Sequence, residues 1–116
     1  MAFQRSFELA MKIFEVSKDF PKEEKYSLTD QIRRSSRAVC ANLGEAYAKR
    51  CYKAHFQSKL TDSDMENCET QIWLLFAYEC KYLSSEIYDE YMEISRQVGR
   101  LLDYMIQNPE KFKRNS

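Results

Sequence analysis

A chain of 116 residues that is 44% apolar has the size of one domain and enough apolar side chains for a core. Its 18 Lys/Arg balance 18 Asp/Glu, so no bulk field draws it toward nucleic acid or membrane. It contains no run of about 20 apolar residues, which excludes a membrane-spanning helix. Met1–Phe7 carries neither the apolar stretch nor the cleavage motif of a signal peptide, so the cytoplasm is the expected location.

Two Gly and two Pro leave little turn chemistry, which favours a few long helices over many short strands. A first helix is predicted over about residues 5–18. Phe7, Ala10, Met11 and Phe14 recur at helical spacing, with Leu9, Ile13 and Val16 widening the stripe. Phe20-Pro21 ends it, because the residue before proline is driven out of the helical region.

A second helix is predicted over about 28–50, with Ser27 as N-cap and Asp30 three residues on as a capping-box variant. Its stripe is Leu28, Ile32, Ser35, Val39, Leu43 and Ala46, with Asn42 at the edge. Ala38, Ala41, Gly44 and Ala48 lie off that stripe and leave room for close approach.

A third helix, about 54–83, carries a stripe of Phe56, Leu60, Leu74 and Tyr78, interrupted by Ser63, Asn67 and Gln71. Met65, Ile72, Phe76 and Leu83 form a second stripe nearly opposite. Apolar residues on two faces predict burial on both, and so an oligomer. A fourth helix, about 86–107, is capped by Ser84 or Ser85. It presents Ile87, Tyr91, Ile94, Val98, Leu101, Leu102 and Met105, and Asn108-Pro109 stops it. Residues 109–116 form a basic tail, expected to fray. Four helices with short connections predict an all-α, antiparallel, up-down-up-down four-helix bundle.

Buried polar groups need partners. Asn42, Ser63, Asn67 and Gln71 are therefore predicted to form a hydrogen-bonded polar core that fixes helix register rather than a catalytic group.

The zero net charge hides segregation. Residues 22–59 hold nine Lys/Arg against four Asp/Glu, net +5, and residues 62–93 hold one Lys against nine Asp/Glu, net −8. On one reading, Arg33, Arg34, Arg37, Lys49, Arg50 and Lys53 form a nucleic-acid-binding patch, with Tyr47 and Tyr52 available to stack on unpaired bases. On the other, basic helix two faces acidic helix three, and Lys49 pairs with Glu45 one turn earlier.

No catalytic residue, cofactor or metal site is expected. Cys40, Cys51, Cys68 and Cys80 contain no Cys-x-x-Cys pair and read as reduced, half-buried thiols. The one histidine, His55, follows Tyr52 rather than a carboxylate at the spacing that a di-iron bundle uses. Cys51-x-x-x-His55 would supply only half a metal site.

Three segments carry a resemblance: "FP-x-x-E-x-Y-x-L-x-x-QIRR" (Phe20 to Arg34), "ANLGEA" (41–46) and "ENCETQIWLLFA" (66–77). Over about residues 3–106 the chain resembles the four-helix bundle family of 23S rRNA intervening-sequence proteins, also labelled "S23 ribosomal protein". It is similar as well to the accessory proteins of diversity-generating retroelements. The chain keeps Asn42 and Glu45 of the family pattern but has Gly44 and Ala46 where that pattern has alanine and glycine. The resemblance implies an antiparallel four-helix bundle, no known enzymatic activity, a homopentamer as in related proteins, and association with RNA or DNA as in the retroelement relatives. A protein-interaction or scaffold module holding a protein partner through its aromatic faces is the alternative.

Overall fold

Residues 1–113 are described by a computed structural model. The first helix, α1 (Ala2–Ser17), buries Ala2, Ser6, Leu9, Ala10, Ile13 and Ser17. The stripe expected to lead, Phe7 and Met11, is instead exposed together with Phe3. The first helix has apolar side chains on two adjoining faces, and the face carrying Leu9 and Ile13 turns inward.

A single 3₁₀ turn, Lys22–Glu24, leads to α2 (Leu28–Ala48). Ser27 occupies the N-cap position, but its side chain does not cap. Glu24 does so instead: its Oε1 accepts from the Leu28 amide at 3.3 Å and from Ser27 Oγ at 2.6 Å. Asp30 pairs with Arg34 one turn later, at 3.1 Å. The Tyr82 hydroxyl donates to Glu24 Oε2 at 2.9 Å, tying this turn to the connection between the third and fourth helices at the same end of the bundle.

These bonds hold the Glu24 carboxyl below the usual range, the Ser27 hydroxyl first, and push the Tyr82 phenol up to about 12. A depressed carboxyl stabilises the fold above its unfolded pKa and loses that contribution as the pH falls through the folded value. A raised phenol contributes below its ordinary value near 10 and loses it as the pH climbs toward 12. Glu24→Gln is expected to flatten stability against pH on both flanks, as read by urea titration at acid, neutral and alkaline pH.

The third helix, α3 (Lys53–Glu79), buries Phe56, Leu60, Ser63, Asn67, Thr70, Leu74 and Ala77. It stops four residues before the expected end. Lys81 takes a positive φ of 67°, its amide donates to Tyr78 O at 2.9 Å and the Tyr82 amide to Ala77 O at 2.8 Å. These bonds form a Schellman motif with lysine where glycine is usual. A side chain in this conformation costs about 1 kcal/mol. Lys81→Gly is expected to raise the unfolding free energy by about that amount, measured by chemical denaturation.

Because of that stop, Leu83 lies beyond the helix and is buried, whereas Met65, Ile72 and Phe76 of the same expected stripe are exposed with Leu75. The chain by itself buries only one face of α3. The last helix, α4 (Ser85–Gln107), is capped by Ser84, whose Oγ accepts from the Ile87 amide at 3.2 Å. It buries Tyr91, Met92, Ile94, Ser95, Val98 and Leu102, and a second 3₁₀ turn, Pro109–Lys111, follows. The expected fraying of 109–116 is not borne out for that turn, and residues 114–116 of the tail lie outside the described residues.

Each helix packs against its sequence neighbours, and α1 also packs against α4, so α1 and α3 sit on one diagonal and α2 and α4 on the other. This is an antiparallel up-down-up-down bundle. Two apolar clusters fill it. One gathers Ile13, Phe20, Ile32, Leu74 and Ile94. The other gathers Val39, Leu43, Phe56, Leu60, Val98 and Leu102.

Candidate functional site

Between the two clusters every helix contributes small polar side chains: Ser6, Ser35, Ser36, Ser63, Asn67, Thr70 and Ser95 are all buried. Asn67 is the hub. Its Nδ2 donates to Ser95 O and its Oδ1 accepts from Ser95 Oγ, both at 2.9 Å. Gln71 Nε2 donates to Ser95 Oγ at 2.9 Å. Ser63 Oγ reaches Val39 O at 2.8 Å, and Thr70 Oγ1 reaches Ser35 Oγ at 2.9 Å. A β-carbon at Gly99 would stand 3.4 Å from Asn67 Nδ2, so that glycine leaves room for the amide. Every fully buried polar side-chain atom among the described residues has a partner.

Of the residues expected in this core, the structure joins Asn67 and Gln71 through Ser95, while Ser63 bonds separately to Val39 O. Asn42 lies apart. It is half-buried and its Nδ2 donates to Ala38 O of its own helix at 3.0 Å. Its position, one residue before Leu43 on the helix wheel, turns it out of the bundle. Ser95, which replaces it as the partner, falls between Tyr91 and Val98 on the apolar stripe of α4. That placement was its sequence signal.

The six cations fall into two groups, on α2, the turn after it and the first residue of α3. Twelve residues separate Arg37 from Lys49, about 18 Å at helical rise. In the first group Arg33 is half-buried. Its Nε donates to Ser17 Oγ at 2.7 Å and one terminal nitrogen to Phe14 O at 3.4 Å, at the cation-favouring C-terminal end of α1. The Phe14 ring lies 4.9 Å from the Arg33 guanidinium, 5.5 Å from that of Arg37 and 4.8 Å from Lys18 Nζ. Phe14 was read only as an apolar stripe residue; it gathers three cations on one ring. An open groove of about 580 Å³ runs beside them, lined by Tyr26, Arg33, Arg34, Arg37, Ala38 and Ala41.

In the second group Arg50 donates to Tyr47 O at 2.8 Å and stacks 4.1 Å over the Tyr47 ring. Lys49 Nζ lies 5.7 Å from the Tyr52 ring. Lys53 is exposed at the start of α3. Glu45 does not pair with Lys49; it pairs with Lys59 of α3 at 2.9 Å.

Among the described residues Arg33, Arg37, Lys49, Arg50 and Lys53 form no ion pair with a carboxylate, while Arg34 pairs with Asp30. Pairing of the six with the acids of 62–93 is therefore not what holds α2 to α3. Glu66 senses Arg34 electrostatically, yet burial and the charges of Glu69 and Asp62 still push its carboxyl up. Burial and then the Asp103 charge do the same to Asp64.

Cys51, Cys68 and Cys80 are exposed, and only Cys40 is half-buried, its thiol pushed up by burial. The expectation of four half-buried thiols fails because three lie on outward helix faces or in turns. Cys51 and His55 are both exposed, and no group of three or more His, Cys, Asp or Glu among the described residues could hold a metal ion. No helix among them is long and apolar enough to cross a membrane.

A polar-layered bundle with a cationic second helix and no assembled catalytic cluster among the described residues belongs to the class of small all-helical bundle proteins. Within that class the chain belongs to the 23S rRNA-intervening sequence protein family, whose model matches residues 1–104. It is similar to the crystal structure of a protein with unknown function from the S23 ribosomal protein family of Bacteroides thetaiotaomicron VPI-5482. The identity is 29%, the TM-score is 0.82, and 91% of this chain and 95% of that one are covered. Comparison with curated proteins finds no match.

Proposed function

We propose that this chain is a non-enzymatic, cytoplasmic, homo-oligomeric protein that binds nucleic acid through Arg33, Arg34, Arg37, Lys49, Arg50 and Lys53. The observation that carries this reading is that five of the six have no carboxylate partner among the described residues. Cations without a carboxylate partner along α2 and at its junction with α3 are a field available to phosphates. Membership of a family named for 23S rRNA intervening sequences is in keeping with it.

The assembly rests on a separate feature. Exposed apolar side chains sit on α1 (Phe3, Phe7, Met11) and on α3 (Met65, Ile72, Phe76), two helices on opposite corners of the bundle. A contact between the α1 face of one copy and the α3 face of the next is head-to-tail and closes into a ring, a pentamer by family resemblance. The repeated ring would multiply the cationic field.

The test is fluorescence anisotropy with a labelled structured RNA and a duplex DNA across a salt series. Affinity that falls steeply with salt supports the reading. Absence of binding at low salt would refute it. The aromatic faces would then hold a protein partner, as in a scaffold module with no nucleic-acid role.

A further inference from the structure

Gly44 lies in the last two turns of α2, exposed and without a positive φ, and a β-carbon built there meets no atom within 4 Å. Neither backbone geometry nor packing inside the chain requires glycine, although glycine weakens a helix. What the missing side chain leaves is the floor of a groove of about 640 Å³ where α1 begins and α2 and α4 end. Its walls include Phe3, Leu43, Tyr47, Leu101, Tyr104 and Phe112. A volume of that size is typical of small-ligand sites. Outside the α1 face assigned above to assembly, two of the walls are rings open to solvent: Tyr47 is 53% and Tyr104 47% exposed.

The rim of this apolar groove is cationic. Arg50 stacks 4.1 Å over Tyr47. Lys111 Nζ lies 5.2 Å from the Tyr104 ring and donates to its hydroxyl at 2.9 Å. A shallow neighbouring depression adds Lys53 and Lys113. Lys49, Arg50, Lys53, Lys111 and Lys113 form no ion pair with a carboxylate among the described residues. Of the acids nearby, Glu110 lines that depression, Lys59 engages Glu45, and Asp103 accepts from Gln107.

Open rings beside unneutralised cations match a ligand that offers flat apolar faces on an anionic chain. A duplex hides those faces in its stack, and an apolar partner helix would leave the cations unmatched. We infer that the Gly44 groove takes unpaired bases of a single-stranded nucleic acid, with the phosphates following Lys49, Arg50, Lys53, Lys111 and Lys113. This rests on the nucleic-acid reading above and narrows it to single strands.

The experiment compares a labelled oligouridylate with an abasic strand of equal length, by anisotropy at low salt, on the full chain and on Gly44→Leu. Leucine removes the glycine penalty on the helix and occupies the groove, so the variant is expected to fold and to melt higher. The base-bearing strand is expected to bind the natural chain about tenfold tighter, the worth of one stacked base. Gly44→Leu should erase that preference and leave abasic binding unchanged. Equal affinity for both strands on the natural chain would overturn the groove assignment while leaving phosphate binding intact. No binding of either strand would overturn both readings. A variant whose oligomeric mass changes by light scattering, with both affinities lowered alike, would assign the groove to a second copy and overturn it too.

Discussion

Asn67→Ala is expected to lower the unfolding free energy by about 3 kcal/mol, read from urea denaturation. Asn67 is 2% exposed and both ends of its amide are committed to Ser95. Truncation leaves the Ser95 hydroxyl proton without its acceptor in the centre of the bundle and takes from the Ser95 carbonyl the donor it has besides its own helix's amide. Each buried unsatisfied group costs about 1–3 kcal/mol, and the vacated volume adds a cavity term. Gln71 still donates to Ser95 Oγ, which limits the loss. Asn67→Ala with Ser95→Ala should cost less than the two single changes added, because the second removes a group that the first orphans. Strict additivity would mean that the pair does not act as one unit. Asn42→Ala, which breaks one bond inside its own helix, should cost far less.

Changing Lys49, Arg50 and Lys53 together to glutamine is the second large effect expected. If each contacts one phosphate of a single strand, the slope of log affinity against log salt should flatten by about 2. Affinity at low salt should fall by about 10- to 100-fold. The fold should survive, since Lys49 and Lys53 are exposed and Arg50 contributes one bond to Tyr47 O. Lys12→Gln is the control, because Lys12 is engaged by Glu90 at 2.9 Å and its ammonium pKa is raised by that hydrogen bond. It should leave the slope unchanged.

The bundle was legible in the sequence because two Gly and two Pro leave few breaks, and the apolar stripes of the second and fourth helices are unambiguous. The first helix was misread. With apolar side chains on two adjoining faces, Phe7 and Met11 compete with Leu9 and Ile13, and spacing cannot choose the inward set. The end of the third helix was missed because Lys81 holds a left-handed turn without glycine or proline to announce it.

The polar layer was half legible. Ser63, Asn67 and Gln71 interrupt an apolar stripe together and so declare themselves, whereas Ser95 is a single small interruption between Tyr91 and Val98. Charge segregation was visible, but ion pairing is decided in three dimensions: Glu45 selects Lys59 on the neighbouring helix over Lys49 on its own. The groove over Gly44 was out of reach, because its walls come from three helices and a 3₁₀ turn.

The claim that matters most is where nucleic acid touches this chain. Photo-crosslinking of the intact protein to a thiouridine-substituted single-stranded RNA, followed by peptide mapping, tests it directly. Crosslinks at Tyr47, Tyr52 and Tyr104 and in the peptides carrying Arg37 to Lys53 are the predicted result. Crosslinks confined to the acid-rich segment 62–93, or none at low salt, would contradict it.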